Sequence, residues 1–269
     1  MALETIPHAA LLATAHALAA ASAEAIRPHF RCAMQIDNKA EAGKFDPVTV
    51  ADRAAERAIL EHLRRAWPEH GIEGEEYGAH AGASPYRWII DPIDGTRAFI
   101  LGLPTWGTLI GLVHGESPVF GMMNQPFTSE RFWSGEAAAM FRGPDGTEHS
   151  LKARKCPALA EAMFMTTAPE LFKTDAERSG FEAIRAATRS TRYGGDCYAY
   201  CMLAAGHVDL VVEAGLQSYD IAPLIPIIEG AGGVCTSWSG GSAARGGNVI
   251  AAGDARVHAA ALEILNRVG

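Results

Sequence analysis

Two aspartates, Asp91 and Asp94, stand three positions apart in "WIIDPIDGTRAFI", at the end of an apolar run. A carboxylate that closes a buried strand is costly unless something pairs with it. Pro92 stops the strand ladder and fixes a turn, so Asp94 can swing back toward Asp91. Carboxylates brought that close repel each other unless a cation lies between them. Hard oxygen ligands without a Cys/His cluster point to Mg²⁺, with Mn²⁺ as a substitute. The backbone carbonyl of Ile93 is well placed to be a further oxygen ligand. Gly95 and Thr96 then open a helix whose free amides can hold a phosphate. Taken alone, the motif reads equally well as a strand end with an Asx turn and an Asp cap.

Other fragments carry the same chemistry. "IEGEEYG" puts Glu75 and Glu76 in a glycine-flanked loop, "FDPVTVAD" puts Asp46 and Asp52 around Thr49, and "SYDIAP" puts Asp220 just ahead of an apolar helix. Singly, these read as a solvated loop and helix caps. Together they form one set of oxygen ligands.

The elements that position them follow from periodicity and breakers. A helix spans about 6–31 and ends near Pro28; a second spans 47–67, with Ala55, Ile59, Leu63 and Trp67 on one face, and stops at Pro68. A short strand covers 87–91. "WGTLIGLVHG", "SPVFGMMNQP" and "ERFWSGE" read as successive strands, and "EAMFMTT" opens a second group. "CYAYCMLAAGHVDLVVEAG" is a helix running into a strand, "DIAPLIPIIEGAGG" a helix ended by glycines, "NVIAAG" a strand and "ARVHAAALEILNRV" a closing helix. Strands and helices interleave, with consecutive strands earlier in the chain, which predicts a mixed α/β protein of layered sheets.

Composition narrows the function classes. The chain has 269 residues and a formal net charge of −8, a poor basis for sequence-independent nucleic-acid binding. An anionic substrate remains compatible, because metal ions supply positive charge locally. Five cysteines, Cys32, Cys156, Cys197, Cys201 and Cys235, match no zinc pattern and read as free thiols in a reducing compartment. "AALLATAHALAAASAEA" resembles a secretory core, but no Lys or Arg precedes it, so an alanine-rich first helix is expected. The expectation is a cytoplasmic protein without a membrane span. The glycine-rich "WSGGSAARGGN" lacks both nucleotide-loop spacings and reads as a surface turn.

In their order, "GEE", "DPIDGT" and "YDIAPLIPIIEGAGG" resemble the Mg²⁺-dependent inositol monophosphatase family over roughly residues 40–235. The resemblance implies a layered αβαβα sandwich of the inositol monophosphatase/fructose-1,6-bisphosphatase type. It implies one phosphatase domain over 1–269, with a metal-binding lobe about 1–150, a substrate-recognition lobe about 151–269, and assembly as a homodimer. It also implies roles. Glu75, Asp91, Asp94 and Asp220, with the Ile93 carbonyl, would bind two or three Mg²⁺ ions. Thr96, hydrogen-bonded to Asp52, would position the attacking water with that carboxylate, and Glu75 would assist. Gly95 and Thr96 would donate amides to phosphate, and Lys44 would offset the acidic cluster. The implied reaction is in-line hydrolysis of a phosphate monoester without a phospho-enzyme.

Substrate choice rests on other residues. Here "DGTRAF" stands where inositol phosphatases carry "DGTTNF", so Arg97 is distinctive. With "GLPTWGTLIGL", "NQPFTSERFW" and "TRYGGDCYAYCMLAAGHVDLVVEAG", it resembles the histidinol-phosphate phosphatase branch, which releases L-histidinol in histidine biosynthesis. That substrate carries an ammonium and an imidazole. Asp196 and Glu213 are candidate carboxylates for the ammonium; Asp196 also reads as a helix cap and Glu213 as a solvated strand end. Arg97 would contact phosphate or pair with one of them. Tyr193, Tyr198 and Trp106 are candidates to pack around the imidazole. The alternatives are an inositol-1-phosphate, fructose-bisphosphate or nucleotide 3′-phosphate phosphatase, and a non-catalytic metal-binding scaffold.

Overall fold

The computed structural model describes residues 6–33, 36–38 and 47–268. Lys44 and Asp46 lie outside the described residues.

The first half of the chain contains α1 (His8–Ile26), β1 (Ile36–Asn38), β2 (Pro47–Thr49), α2 (Val50–Ala66), β3 (Gly71–Gly74), β4 (Gly78–His80), β5 (Tyr86–Asp94), α3 (Thr96–Ile100), β6 (Gly107–His114), β7 (Ser117–Gln125), β8 (Glu130–Ser134), β9 (Ala139–Arg142) and β10 (Glu148–Ser150). Strands β3 to β10 form one eight-stranded sheet in the order β10-β9-β8-β7-β6-β5-β3-β4. Its neighbours are antiparallel except β3 and β5. The second half contains β11 (Met163–Thr166), α4 (Asp175–Ala187), β12 (Ser190–Tyr193), α5 (Asp196–Ala204), β13 (Leu210–Leu216), α6 (Ser218–Ile221), α7 (Ile225–Gly230), β14 (Val234–Ser237), β15 (Gly247–Ala252) and α8 (Ala255–Val268). Its five strands order as β12-β11-β13-β15-β14.

Three apolar cores fix the layering. Leu11, Ala15 and Leu18 of α1 and Ile59 and Leu63 of α2 pack with Trp88, Ile90, Ile110 and Phe120 on one face of the larger sheet. On its other face Leu109, Met123 and Phe132 meet Cys197 and Cys201 of α5, Ile221 of α6, Ile227 of α7, and Val211 and Val249 of the smaller sheet. Beyond that sheet, Phe164, Val212 and Ile250 pack on Phe181 and Ile184 of α4 and Val257 and Leu265 of α8. The result is the αβαβα sandwich. It explains why β5 is buried on both faces and reads as a continuous apolar run rather than an alternating one.

Helix α1 is long and apolar enough to span a membrane, but Leu11, Ala15, Leu18, Ala19, Ser22, Ala23 and Ile26 form a buried stripe. Its alanines allow close approach to α2, the arrangement of a core helix.

The sequence reading needs three corrections. The segment 47–49 is not helical: it pairs with β1, and α2 starts at Val50 behind a Thr49/Asp52 capping box. "DIAPLIPIIEGAGG" is two short helices, because Pro223 and Pro226 lack the N–H that a continuous helix needs. Strand β5 runs on through Pro92 to Asp94, with the ladder shifted between Asp91 and Asp94.

Candidate active site

That register shift is what turns two aspartates toward each other. Asp91 is buried, and its Oδ1 accepts the Ile93 amide at 3.0 Å. The Pro92 carbonyl accepts the Thr108 hydroxyl at 2.9 Å, which secures the irregular stretch to β6. A bulge of this kind re-aims a side chain at a strand end. Asp220, on the single turn of α6, reaches the same place from the middle layer. Oxygens of Asp91, Asp94 and Asp220 lie within 4.8 Å of one another. Glu75 follows β3; its amide donates to the Ile90 carbonyl at 3.2 Å, and its side chain comes within hydrogen-bonding reach of Asp91.

These carboxylates cannot all ionise beside one another unaided. Burial, then Glu75, Asp94 and Asp220, push the Asp91 carboxyl far above its ordinary range. Burial, then Asp220 and Asp196, do the same for Asp94, although the Cys197 amide donates to Asp94 Oδ2 at 2.6 Å and opposes the shift. An all-oxygen donor set with surplus negative charge fits a hard divalent cation. Glu75, Asp91, Asp94 and Asp220 are the side chains that would hold it. The Ile93 carbonyl lies between the two aspartates in the chain and accepts the Thr96 hydroxyl at 3.1 Å.

That last contact corrects one expectation: Thr96 does not bond to Asp52. Asp52 instead accepts the Thr49 amide at 2.8 Å and the Thr49 hydroxyl at 2.5 Å through Oδ2, as the third residue of the α2 capping box. Its Oδ1 is buried with no hydrogen-bond partner. A buried orphan acceptor is the kind of atom that a bound water or ligand satisfies. Burial raises the Asp52 carboxyl to about 6, against the two Thr49 bonds that lower it, with Glu76 and Glu75 adding to the rise. A carboxylate poised there is suited to exchange a proton near neutral pH.

Gly95 has φ of 83°, a left-handed conformation at the start of α3 that side chains disfavour. A Cβ there would also lie 3.0 Å from the Asp196 Cβ, so the turn that opens α3 and the start of α5 touch at this glycine. Asp196 is not the helix cap: Gly195 occupies that position and Asp196 is the first helical residue, itself at φ 44°. Burial raises its carboxyl to about 6 and the exposed Arg97 lowers it. Glu213 is not a solvated strand end either. It is 1% exposed, accepts the Thr167 amide at 2.6 Å and the Thr166 hydroxyl at 3.3 Å, and burial lifts it to about 8.

Of the three aromatic candidates, two are committed elsewhere. Trp106 is fully buried against Phe30 and Phe99. Tyr198 donates to Glu130 Oε2 at 2.8 Å and packs on Phe132. Tyr193 stays exposed at the end of β12. Sequence reasoning missed Glu56, which is fully buried and accepts the Glu76 and Tyr77 amides at 2.8 and 3.0 Å. The available signal was its place four residues after Asp52, on the same face of α2. The Cys197 amide was also missed, because a backbone donor leaves no mark on residue type.

The sequence model of the inositol monophosphatase family matches residues 8–268. The chain is 41% identical over 266 residues to the bifunctional phosphatase IMPL2, chloroplastic, of Arabidopsis thaliana, covering 94% of this chain and 74% of that protein. It is 36% identical over 262 residues to a histidinol-phosphatase of Streptomyces coelicolor, covering 95% and 97% of the two chains. The solved structure of an inositol monophosphatase from Zymomonas mobilis superposes with a TM-score of 0.85 at 42% identity, over 97% of this chain and all of the other.

Proposed function

This chain belongs to the inositol monophosphatase family, a family of phosphatases, and from that premise we propose that it hydrolyses L-histidinol phosphate to L-histidinol and phosphate. The observation that carries the substrate choice is Asp196. This carboxylate sits against Gly95 at the phosphate end and interacts electrostatically with Asp94, Arg97 and Glu213. A cluster that already holds Glu75, Asp91, Asp94 and Asp220 has no need of a further acid for its cations. An ammonium on the substrate gives that surplus charge a partner. The relative named histidinol-phosphatase, matched over nearly its whole length, supports the same reading.

In this reading Glu75, Asp91, Asp94, Asp220 and the Ile93 carbonyl would hold Mg²⁺, which would supply shielding of the phosphate charge and a more acidic water. The amides of Gly95 and Thr96 receive the phosphate oxygens. Asp52, its Oδ2 held by Thr49, offers Oδ1 to the attacking water and takes its proton. Asp196 holds the ammonium, which fixes the ester relative to that water. The Arg97 guanidinium opposes the burial that raises the Asp196 carboxyl. The five cysteines are unpaired, in keeping with a reducing cytoplasm, and we take the working unit to be a homodimer.

Phosphate release from histidinol phosphate, inositol 1-phosphate and fructose 1,6-bisphosphate, each with Mg²⁺, tests the assignment. Histidinol phosphate is expected to have the highest kcat/KM. Equal or better turnover of inositol 1-phosphate would replace this reading with an inositol monophosphatase, in which Glu213 would accept a ring hydroxyl.

A further inference from the structure

We propose that Glu56 is a positioning residue for the metal ligand Glu75, acting by tying the loop that carries Glu75 to the helix that carries Asp52. The inference rests on the reading of Glu75 as a ligand.

Glu56 lies one helical turn after Asp52 on α2, and both are fully buried. A buried carboxylate persists only where its oxygens are hydrogen-bonded. Both Glu56 oxygens are spent on one loop: Oε2 accepts the Glu76 amide at 2.8 Å and Oε1 the Tyr77 amide at 3.0 Å. On the other side of the ligand, the Glu75 amide donates to the Ile90 carbonyl of β5, one residue before Asp91. The backbone of Glu75 is therefore held at its own amide by the strand that presents Asp91, and immediately after it by the helix that presents Asp52. Glu75 has little freedom to leave.

Gly74 makes the tie possible. A Cβ at residue 74 would lie 1.9 Å from Glu56 Oε1, closer than any real contact, so only glycine lets the carboxylate enter beneath the loop. The glycine before the acidic pair in "IEGEEYG" thus has a specific purpose. The outer face of the loop is attached to the same helix, because the Tyr77 hydroxyl donates to the Arg53 carbonyl at 3.4 Å and accepts from Arg57 at 3.3 Å. These contacts are peripheral and exposed, whereas Glu56 acts from the interior.

A ligand held by outer contacts loses affinity for its metal when they are removed, by about 10- to 100-fold. The test is Mn²⁺ binding, read from the free-Mn²⁺ electron paramagnetic resonance signal in full-length protein, so that no substrate is needed. Glu56→Gln keeps the shape but places an NH₂ against one of the two amides. Folded by circular dichroism, it is expected to bind Mn²⁺ at least about 10-fold more weakly at the tightest site. Excess Mg²⁺ should restore kcat, since both Glu56 oxygens are spent on the Glu76 and Tyr77 amides. Gly74→Ala, which pushes on the same oxygen from the loop side, is expected to weaken Mn²⁺ binding likewise and reads the contact should Glu56→Gln fail to fold. The double variant Glu56→Gln/Glu75→Gln should bind no more weakly than Glu75→Gln alone, because a tie has nothing left to position. Wild-type Mn²⁺ affinity in folded Glu56→Gln or Gly74→Ala, beside a loss in Glu75→Gln, would overturn this inference alone. Additive losses in the double variant would overturn it too. Wild-type affinity in Glu75→Gln would overturn the ligand reading and this inference with it.

Discussion

The Cys197 amide donates to Asp94 Oδ2 at 2.6 Å, so the first turn of α5 in the middle layer grips the carboxylate at the end of β5 in the larger sheet. One of the acids in the carboxylate cluster is thereby shared between the two halves of the fold. Its position depends on the packing of the sheets as well as on the Pro92 bulge.

Asp94→Asn keeps an acceptor for the Cys197 amide but removes a charge from the donor set. Mg²⁺-dependent phosphate release should fall by at least about 100-fold, since even residues behind a metal ligand cost up to that much. Denaturant unfolding without metal should show equal or higher stability, because a repelling carboxylate has gone. Retained turnover would exclude the metal assignment.

Asp196→Ala removes the acid proposed for the ammonium. KM for histidinol phosphate should rise about 10-fold or more, as for one charge-assisted hydrogen bond, while KM for inositol 1-phosphate moves much less. Equal effects on both esters would make Asp196 a structural residue of the Gly95 contact instead.

Gly95→Ala puts a methyl 3.0 Å from the Asp196 Cβ at a φ of 83°. The left-handed conformation alone costs about 1–2 kcal/mol, and the contact adds to it. Chemical denaturation should show at least that loss, with kcat reduced as the turn proposed to receive phosphate shifts.

Adding Mg²⁺ should raise the melting temperature, and chelation should lower it. A ligand that binds only the folded state, at 100 times its Kd, contributes about 2.7 kcal/mol. Asp91→Asn should abolish the Mg²⁺ effect. A melting curve indifferent to Mg²⁺ in the unsubstituted protein would count against the cluster as a cation site.

The pH dependence of stability has a definite sign. Glu213 has an ordinary value of 4.5 and is raised to about 8 in the fold by burial. Across that window the folded chain keeps a proton that the unfolded chain has released. The contribution is whole below the lower value and is lost as pH rises through the upper one. Melting temperatures of metal-free protein, measured across that range, should therefore fall more steeply for the wild type than for Glu213→Gln. Parallel curves would mean that Glu213 does not titrate there.

Much of the site was legible in residue types. Asp91, Asp94, Glu75 and Asp220 stand out because acids beside apolar strands and helices are costly to bury without a partner. The interleaved strands and helices likewise announced a layered α/β fold. Asp196 and Glu213 were picked out by type, but their settings were not legible. A strand-end glutamate looks solvated until a second sheet covers it, and a residue after two glycines looks like a cap until the Ala199 amide, bonded to the Gly195 carbonyl, assigns the cap to Gly195. Trp106 and Tyr198 looked available for an imidazole, because aromatic type carries no record of which core claims the ring.

The sequence by itself determined the local pieces: the acids, the bulge-forming proline between them and the glycine that opens α3 are all local features with local physical reasons. The tertiary structure decided which acids meet and what holds them. Asp220 joins Asp91 across layers, Glu56 reaches under the Glu75 loop, and Thr96 turns to the Ile93 carbonyl while Asp52 stays with Thr49. These choices depend on distances between segments far apart in the chain. Spacing within a segment cannot encode them, because they are set by how three apolar cores pack.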